Sequence, residues 1–128
     1  MMARDFRGIL AWQKADDLAV EIYRATGRCF PREERYALTS QIRSAAVSVA
    51  ANIAEGSGRR TLKDFRSFLY KAQGSLSEVE YYLHLARRLD YLDKDDYARL
   101  EAQRAEVGRL LAGFIAFLDR QIAQGHTV

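Results

Sequence analysis

Proline occurs once in this chain, at position 31, a scarcity that favours helix nearly throughout. Cysteine also occurs once, at Cys29, which excludes an intrachain disulfide and suits a reducing compartment. Cys29 reads as a small apolar filler near a helix end. Histidine is confined to His84 and His126, and the nearest approach to a bundle metal motif, Glu80 with His84, has no companion ligands. No glycine-rich phosphate loop and no Ser/His/Asp set can be argued from spacing, so neither catalytic residues, a metal nor a cofactor is expected. No apolar run approaches the roughly 20 residues that span a bilayer. The charged start, MMARDFRGILAWQKADD, lacks the apolar stretch of a secretory signal, and the expected location is the cytoplasm.

What remains is abundant Ala, Leu, Arg and Glu, with apolar residues at 48%, enough for a buried core and too much for a disordered chain. The length fits one domain over residues 1–128. A first helix, about 12–28, carries an inward stripe of Ala15, Leu18, Ala19 and Ile22. A second, about 33–55, starts after Pro31 with glutamates at its positive end. Its contact face is small, with Ala45, Ala46, Ser48, Val49, Ala50 and Ala51, and Gly56 and Gly58 read as its left-handed stop. A third, about 61–89, is capped by Thr61 and repeats every seven residues as Leu62, Leu69, Leu76, Leu83 and as Phe65, Ala72, Val79, Ala86. Both ladders pass Gly74 in phase, so the helix is read as unbroken, with Gly74 against the small face of the second helix. A fourth, about 93–123, has Asp93 as cap and an apolar surface wider than one stripe, including Leu110, Ile115, Phe117 and Ile122. Short connections and the heptad period predict an all-α, left-handed, up-down-up-down antiparallel four-helix bundle that assembles into a homo-oligomer.

Charge is unevenly placed. The net +3 lies entirely in residues 1–60, and residues 61–128 balance to zero. Between positions 59 and 71, Arg59, Arg60, Lys63, Arg66 and Lys71 face only Asp64. Two readings stand. The stretch is either a solvated helix start with Asp64 paired to a cation, or a phosphate-binding surface that Arg43, Arg87 and Arg88 extend. Tyr81, Tyr82 and Tyr91 suit base stacking or an interface. Asn52 and Glu55 read first as structural, Asn52 fixing helix register and Glu55 pairing with an arginine, with use as a binding site the alternative. Arg120 and His126 match a spacing used by four-helix RNases of toxin systems, although His126 sits where chain ends usually fray.

Trp12 with Ala15, Phe30-Pro31, Glu34, Tyr36 with Leu38, Gln41-Ile42-Arg43, Ala45, Asn52-Ile53-Ala54-Glu55-Gly56 and Ala72-Gln73-Gly74-Ser75-Leu76 with Glu78 occur in an order that resembles one family. It is the family of four-helix-bundle proteins encoded in intervening sequences of large-subunit ribosomal RNA genes, similar in fold to the accessory variability protein of diversity-generating retroelements. The resemblance covers nearly the whole chain. It implies a bacterial homopentamer with a basic surface, nucleic-acid binding in some members, and no established enzymatic activity. RNA or DNA, a protein client and other copies of the chain are the partners it suggests. Ser44 departs from the pattern, standing where a second arginine after Arg43 is common.

Overall fold

The computed structural model describes residues 4–127, and among them every regular element is helical. Four α-helices carry the architecture: α1 (Leu10–Cys29), α2 (Leu38–Ser57), α3 (Leu62–Arg88) and α4 (Lys94–Ala123). Short 3-10 turns at Phe6–Gly8 and Arg32–Glu34 precede α1 and α2. Helix α1 packs on α2 and α4, and α3 packs on α2 and α4, so the helices close a ring around one connected core.

Each apolar pattern turns inward as its period requires. Ala15, Leu18, Ala19 and Ile22 of α1 are buried, as are all eight members of the two α3 ladders. On α4, Leu100, Val107, Leu111, Ile115 and Leu118 are buried, whereas Phe114 and Ile122 are half-buried and Phe117 is exposed. Phe114 sets its ring edge-on to Phe65 at 5.3 Å. The helix starts follow the expected caps: the Thr61 hydroxyl accepts from the Asp64 N–H at 3.1 Å, and the Asp93 carboxylate from the Asp96 N–H at 2.7 Å.

Three local expectations need correction. Helix α2 begins at Leu38 and not at position 33, because a 3-10 turn and a further turn intervene. The Glu34 carboxylate then bonds the N–H of Leu38 at 3.3 Å. The two glycines after Glu55 are not left-handed. Gly56 lies inside α2 and Gly58 ends it at φ −87°. Gly74, expected to lie against α2, is exposed on α3, and a Cβ there would meet nothing within 4 Å.

The close approach is made by Gly56 instead. A Cβ built at Gly56 would fall 2.8 Å from Phe68 Cβ and 2.9 Å from Phe65 Cδ1. Only the absence of a side chain lets α2 settle onto the two phenylalanines of α3. A little further along the same seam, Asn52 Nδ2 donates to the Ser48 carbonyl at 2.8 Å and to Ser48 Oγ at 3.0 Å, and Ser75 Oγ donates to Ser48 Oγ at 3.0 Å. Asn52 thus steadies the serine that crosses to α3, and its own bonds stay within α2.

The chain end is held as well. Gly125 has φ +86°, Gly125 N–H reaches the Ile122 carbonyl at 3.0 Å, and His126 N–H reaches the Gln121 carbonyl at 3.0 Å. This is the left-handed closure that satisfies the last carbonyls of a helix. The Thr127 carbonyl then accepts from the Leu62 N–H at 2.7 Å, so His126 lies in an ordered turn and not in a frayed end.

Opposite outcomes are expected at two glycines of similar sequence surroundings. G56A should destabilise the fold by about 1–3 kcal/mol, the usual penalty of overpacking. G74A should stabilise it by about 1 kcal/mol, since it replaces glycine in an open helix interior. Urea denaturation of the two variants beside the parent chain measures both.

Candidate nucleic-acid interface

The predicted cationic residues divide between the two ends of α2. At the α2–α3 turn, Arg59 and Lys71 converge on one aromatic ring. The Arg59 guanidinium carbon is 4.6 Å and Lys71 Nζ 4.3 Å from the centroid of Phe68, the phenylalanine that Gly56 admits. Arg59 also pairs with Glu55 at 3.4 Å, an i,i+4 contact that matches the pairing expected of Glu55. Arg60 and Lys63 are exposed, and neither has a carboxylate within ion-pair distance among the described residues. Asp64, one reading's candidate partner for a cation, makes no ion pair there either; its N–H is taken by the Thr61 cap.

Arg66 is committed elsewhere. Its Nη1 lies 2.7 Å from Asp119 Oδ1, tying α3 to α4. Arg4 joins this end, donating to the Arg59 carbonyl at 3.1 Å and lying 5.1 Å above the Phe65 ring. The cations free to meet a phosphate at this end are therefore Arg60, Lys63 and Lys71, with Arg59 shared.

Arg43 does not belong to that surface. It lies fourteen positions before Ser57, the end of α2 that Arg59 follows, or roughly 21 Å along the axis at about 1.5 Å per residue. There Arg43 Nε donates to Thr26 Oγ1 at 2.8 Å, its Nη2 donates to the Tyr23 carbonyl at 3.2 Å, and its guanidinium stacks 4.5 Å from the Tyr23 ring. It closes the last turn of α1. Arg87 pairs with Asp90 at 3.1 Å and donates to the Leu92 carbonyl, which supports the α3–α4 turn. Asp90 itself takes the left-handed conformation there, with φ 60°. Neither Arg43 nor Arg87 extends the α2–α3 cation group.

The α1–α2 end holds two arginines to which the sequence assigned no role, beside a tyrosine that entered only through the family pattern. Arg32, Arg35 and Tyr36 lie in the turns before α2, and Tyr36 is 88% exposed. Their signal was the Arg-Glu-Glu-Arg-Tyr run itself.

The same end is braced by a hydrogen bond from a tyrosine to a glutamate and one from a cysteine to an aspartate. Tyr91 donates to Glu34 Oε2 at 2.8 Å and packs its ring 5.5 Å from Phe30. That hydrogen bond, with desolvation and the charges of Glu34 and Glu33 behind it, holds the Tyr91 hydroxyl proton above the ordinary phenol value of 10.0. Cys29 is half-buried and its thiol sits 3.7 Å from Asp96 Oδ2, so it is a weak polar contact as well as a filler. His84 is exposed, and no group of three or more potential metal ligands occurs among the described residues.

Residues 7–113 match the family model described as 23S rRNA-intervening sequence protein. The chain belongs to that family. A crystal structure of a protein with unknown function from the S23 ribosomal protein family of Bacteroides thetaiotaomicron has a similar fold, with a TM-score of 0.74 and 26% sequence identity. The similarity covers 83% of this chain and 98% of that one. No curated protein matches the chain. The matched span of this family member contains Arg43, the Gly56–Phe68 contact and the cations from Arg59 to Lys71.

The Tyr91–Glu34 bond has a pH signature. Because folding raises the Tyr91 pKa, its stabilisation is complete below the unfolded value near 10.0 and is lost as pH climbs through the folded value. Phenolate absorbance should show two tyrosines titrating late, Tyr91 and Tyr82, the latter raised by desolvation and by Glu78; E34Q should move Tyr91 alone back toward the ordinary range, and Y91F should remove it.

Proposed function

We propose that this family member is a non-enzymatic homo-oligomer that binds RNA or DNA through phosphate contacts at the α2–α3 end. The observation that carries the reading is the grouping of Arg60, Lys63 and Lys71 with Arg59. Arg59 and Lys71 rest on Phe68, and Arg60 and Lys63 stand exposed nearby in sequence, with Glu55 paired to Arg59 and Asp64 the other acid of the stretch. Phosphate contacts of this kind are indifferent to base sequence and release counterions. The bundle would run up-down-up-down with antiparallel neighbours and a left-handed twist. Support comes from the side chains that link successive ends: Arg43 to the last turn of α1, and Arg66 near the start of α3 to Asp119 near the end of α4.

Self-association is supported by apolar groups left uncovered on the outer helices. Tyr70 and Tyr81 of α3 are about half exposed, at 50% and 57%, and flank the open Gly74. Phe117 of α4 is 46% exposed beside exposed Ala112, Gly113 and Ala116. Side-chain-poor faces flanked by aromatics allow helices of separate copies to approach closely. A pentamer is the assembly favoured by the family resemblance. No helix among the described residues is long and apolar enough to cross a membrane, and the proposed location is the cytoplasm.

The same exposed aromatics support a second reading, a scaffold whose client is another protein. In that case the cations only solvate the surface.

Affinity for duplex DNA should fall steeply with salt, with a log–log slope of about −0.9 for each neutralised phosphate. The double variant R60E/K63E should weaken binding and flatten that slope while circular dichroism stays unchanged. Absence of binding at low salt, or a flat salt dependence, would favour the protein scaffold. Light scattering at micromolar concentration should return a mass several times that of one chain; a monomer there would contradict the assembly.

A further inference from the structure

The α1–α2 end contains a second cationic site of different construction. Two adjoining cavities, about 500 and 340 Å³, share Arg35, Thr39 and Arg43 in their walls. Tyr23 and Tyr36 line the first, Arg32 lines the second, and no carboxylate lines either one. Arg32 and Arg35 have no ion-pair partner among the described residues, and Arg43 is held by neutral oxygens. The neighbouring acids are turned to other tasks or left outside. Glu34 bonds Leu38 N–H and the Tyr91 hydroxyl, and Glu33 is exposed and lines neither cavity.

The start of α2 supplies hydrogen-bond donors to the same space. Ala37 offers no side-chain cap, and only the Leu38 N–H is met by Glu34. The N–H groups of Thr39 and Ser40, which also line the groove, have no acceptor among the described residues. Thr39 lines both cavities as well, and its hydroxyl makes no hydrogen bond among the described residues while staying open to solvent. Free N–H groups, that hydroxyl, the braced Arg43 and the unpaired Arg32 and Arg35 together fit one oxyanion with several acceptor oxygens.

Next to this oxyanion site stands Tyr36, 88% exposed, with the Arg35 guanidinium 5.6 Å from its ring centroid. An uncovered aromatic face beside an arginine is a platform for a flat, π-rich group. We propose that this groove binds a nucleoside phosphate, with the phosphate on Arg35, Arg43, Thr39 and the α2 N–H groups, and the base on Tyr36. The ligand is a free nucleotide or one unit of a single strand, both of which present this chemistry. A paired base in a duplex has no free face for Tyr36. For a strand the proposal rests on the nucleic-acid reading above; for a free nucleotide it stands apart from it.

The experiment uses the full chain with AMP, ribose 5-phosphate and a fluorescein-labelled adenylate heptamer as probes. AMP or the heptamer should bind, and Y36A should weaken that binding at least about fivefold, the lower bound of a lost base–aromatic stack. R35E should weaken it about tenfold or more, as expected of a charge-assisted phosphate contact. Ribose 5-phosphate should bind distinctly more weakly than AMP. Binding of the heptamer alone identifies the source as a strand, and binding of AMP alone identifies a free nucleotide. The proposal is overturned if neither probe binds at about 1 mM, if Y36A and R35E stay within about twofold of the parent, or if ribose 5-phosphate matches AMP. The R60E/K63E variant separates the two sites: it should lose duplex DNA yet keep AMP, so either reading can fail without the other.

Discussion

The missing side chain at Gly56 is the constraint from which much of this molecule follows. It brings α2 within van der Waals reach of Phe65 and Phe68, where any Cβ would collide with both. Phe65 then fills the core at 1% exposure and receives the edge of Phe114 from α4. Phe68, on the rim of the same contact, offers its ring to Arg59 and Lys71. One close helix approach therefore builds the core on its inner side and orients cations on its outer side. The coupling is steric first and electrostatic second, since the ring must be seated before a guanidinium can rest on it.

Polar ties keep the helix ends in place with few buried charges. Arg66–Asp119, Arg43 with Thr26 and Tyr23, Tyr91–Glu34 and the Thr127 carbonyl on Leu62 each link elements distant in sequence. Most sit at the surface, where an ion pair adds little to stability but does restrict which end meets which. They also decide which arginines remain available. Arg66 and Arg87 hold the fold together, Arg60, Arg32 and Arg35, with Lys63, are left to face solvent or a ligand, and Arg43 braces α1 while lining the α1–α2 groove. A surface rich in arginine is thus sorted by where a partner oxygen happens to lie.

Part of this was readable along the chain because periodicity is a local property. The seven-residue ladders of α3 and the stripe of α1 placed their residues in the core, since a side chain every three or four positions falls on one face. Even the error at Gly74 had a local remedy. It stands two positions from both Ala72 and Leu76, about 200° around the helix from the core ladder at about 100° per residue, and so belongs outside. The α1–α2 groove had a weaker signal. The Arg32–Tyr36 run showed its charges and its ring, but not that a 3-10 turn replaces the first helical turn and leaves Tyr36 and the N–H groups of Thr39 and Ser40 open.

Sequence by itself determined the all-helical class, the four helices, their caps at Thr61 and Asp93, and the inward faces, because each depends on interactions a few residues apart. Only the tertiary structure decided that Gly56 and not Gly74 is the tight contact, that Arg43 and Arg59 serve opposite ends of α2, and that Thr39 meets an unfilled groove. These depend on which atoms of other helices come near, and nothing in the spacing of one segment records the position of another.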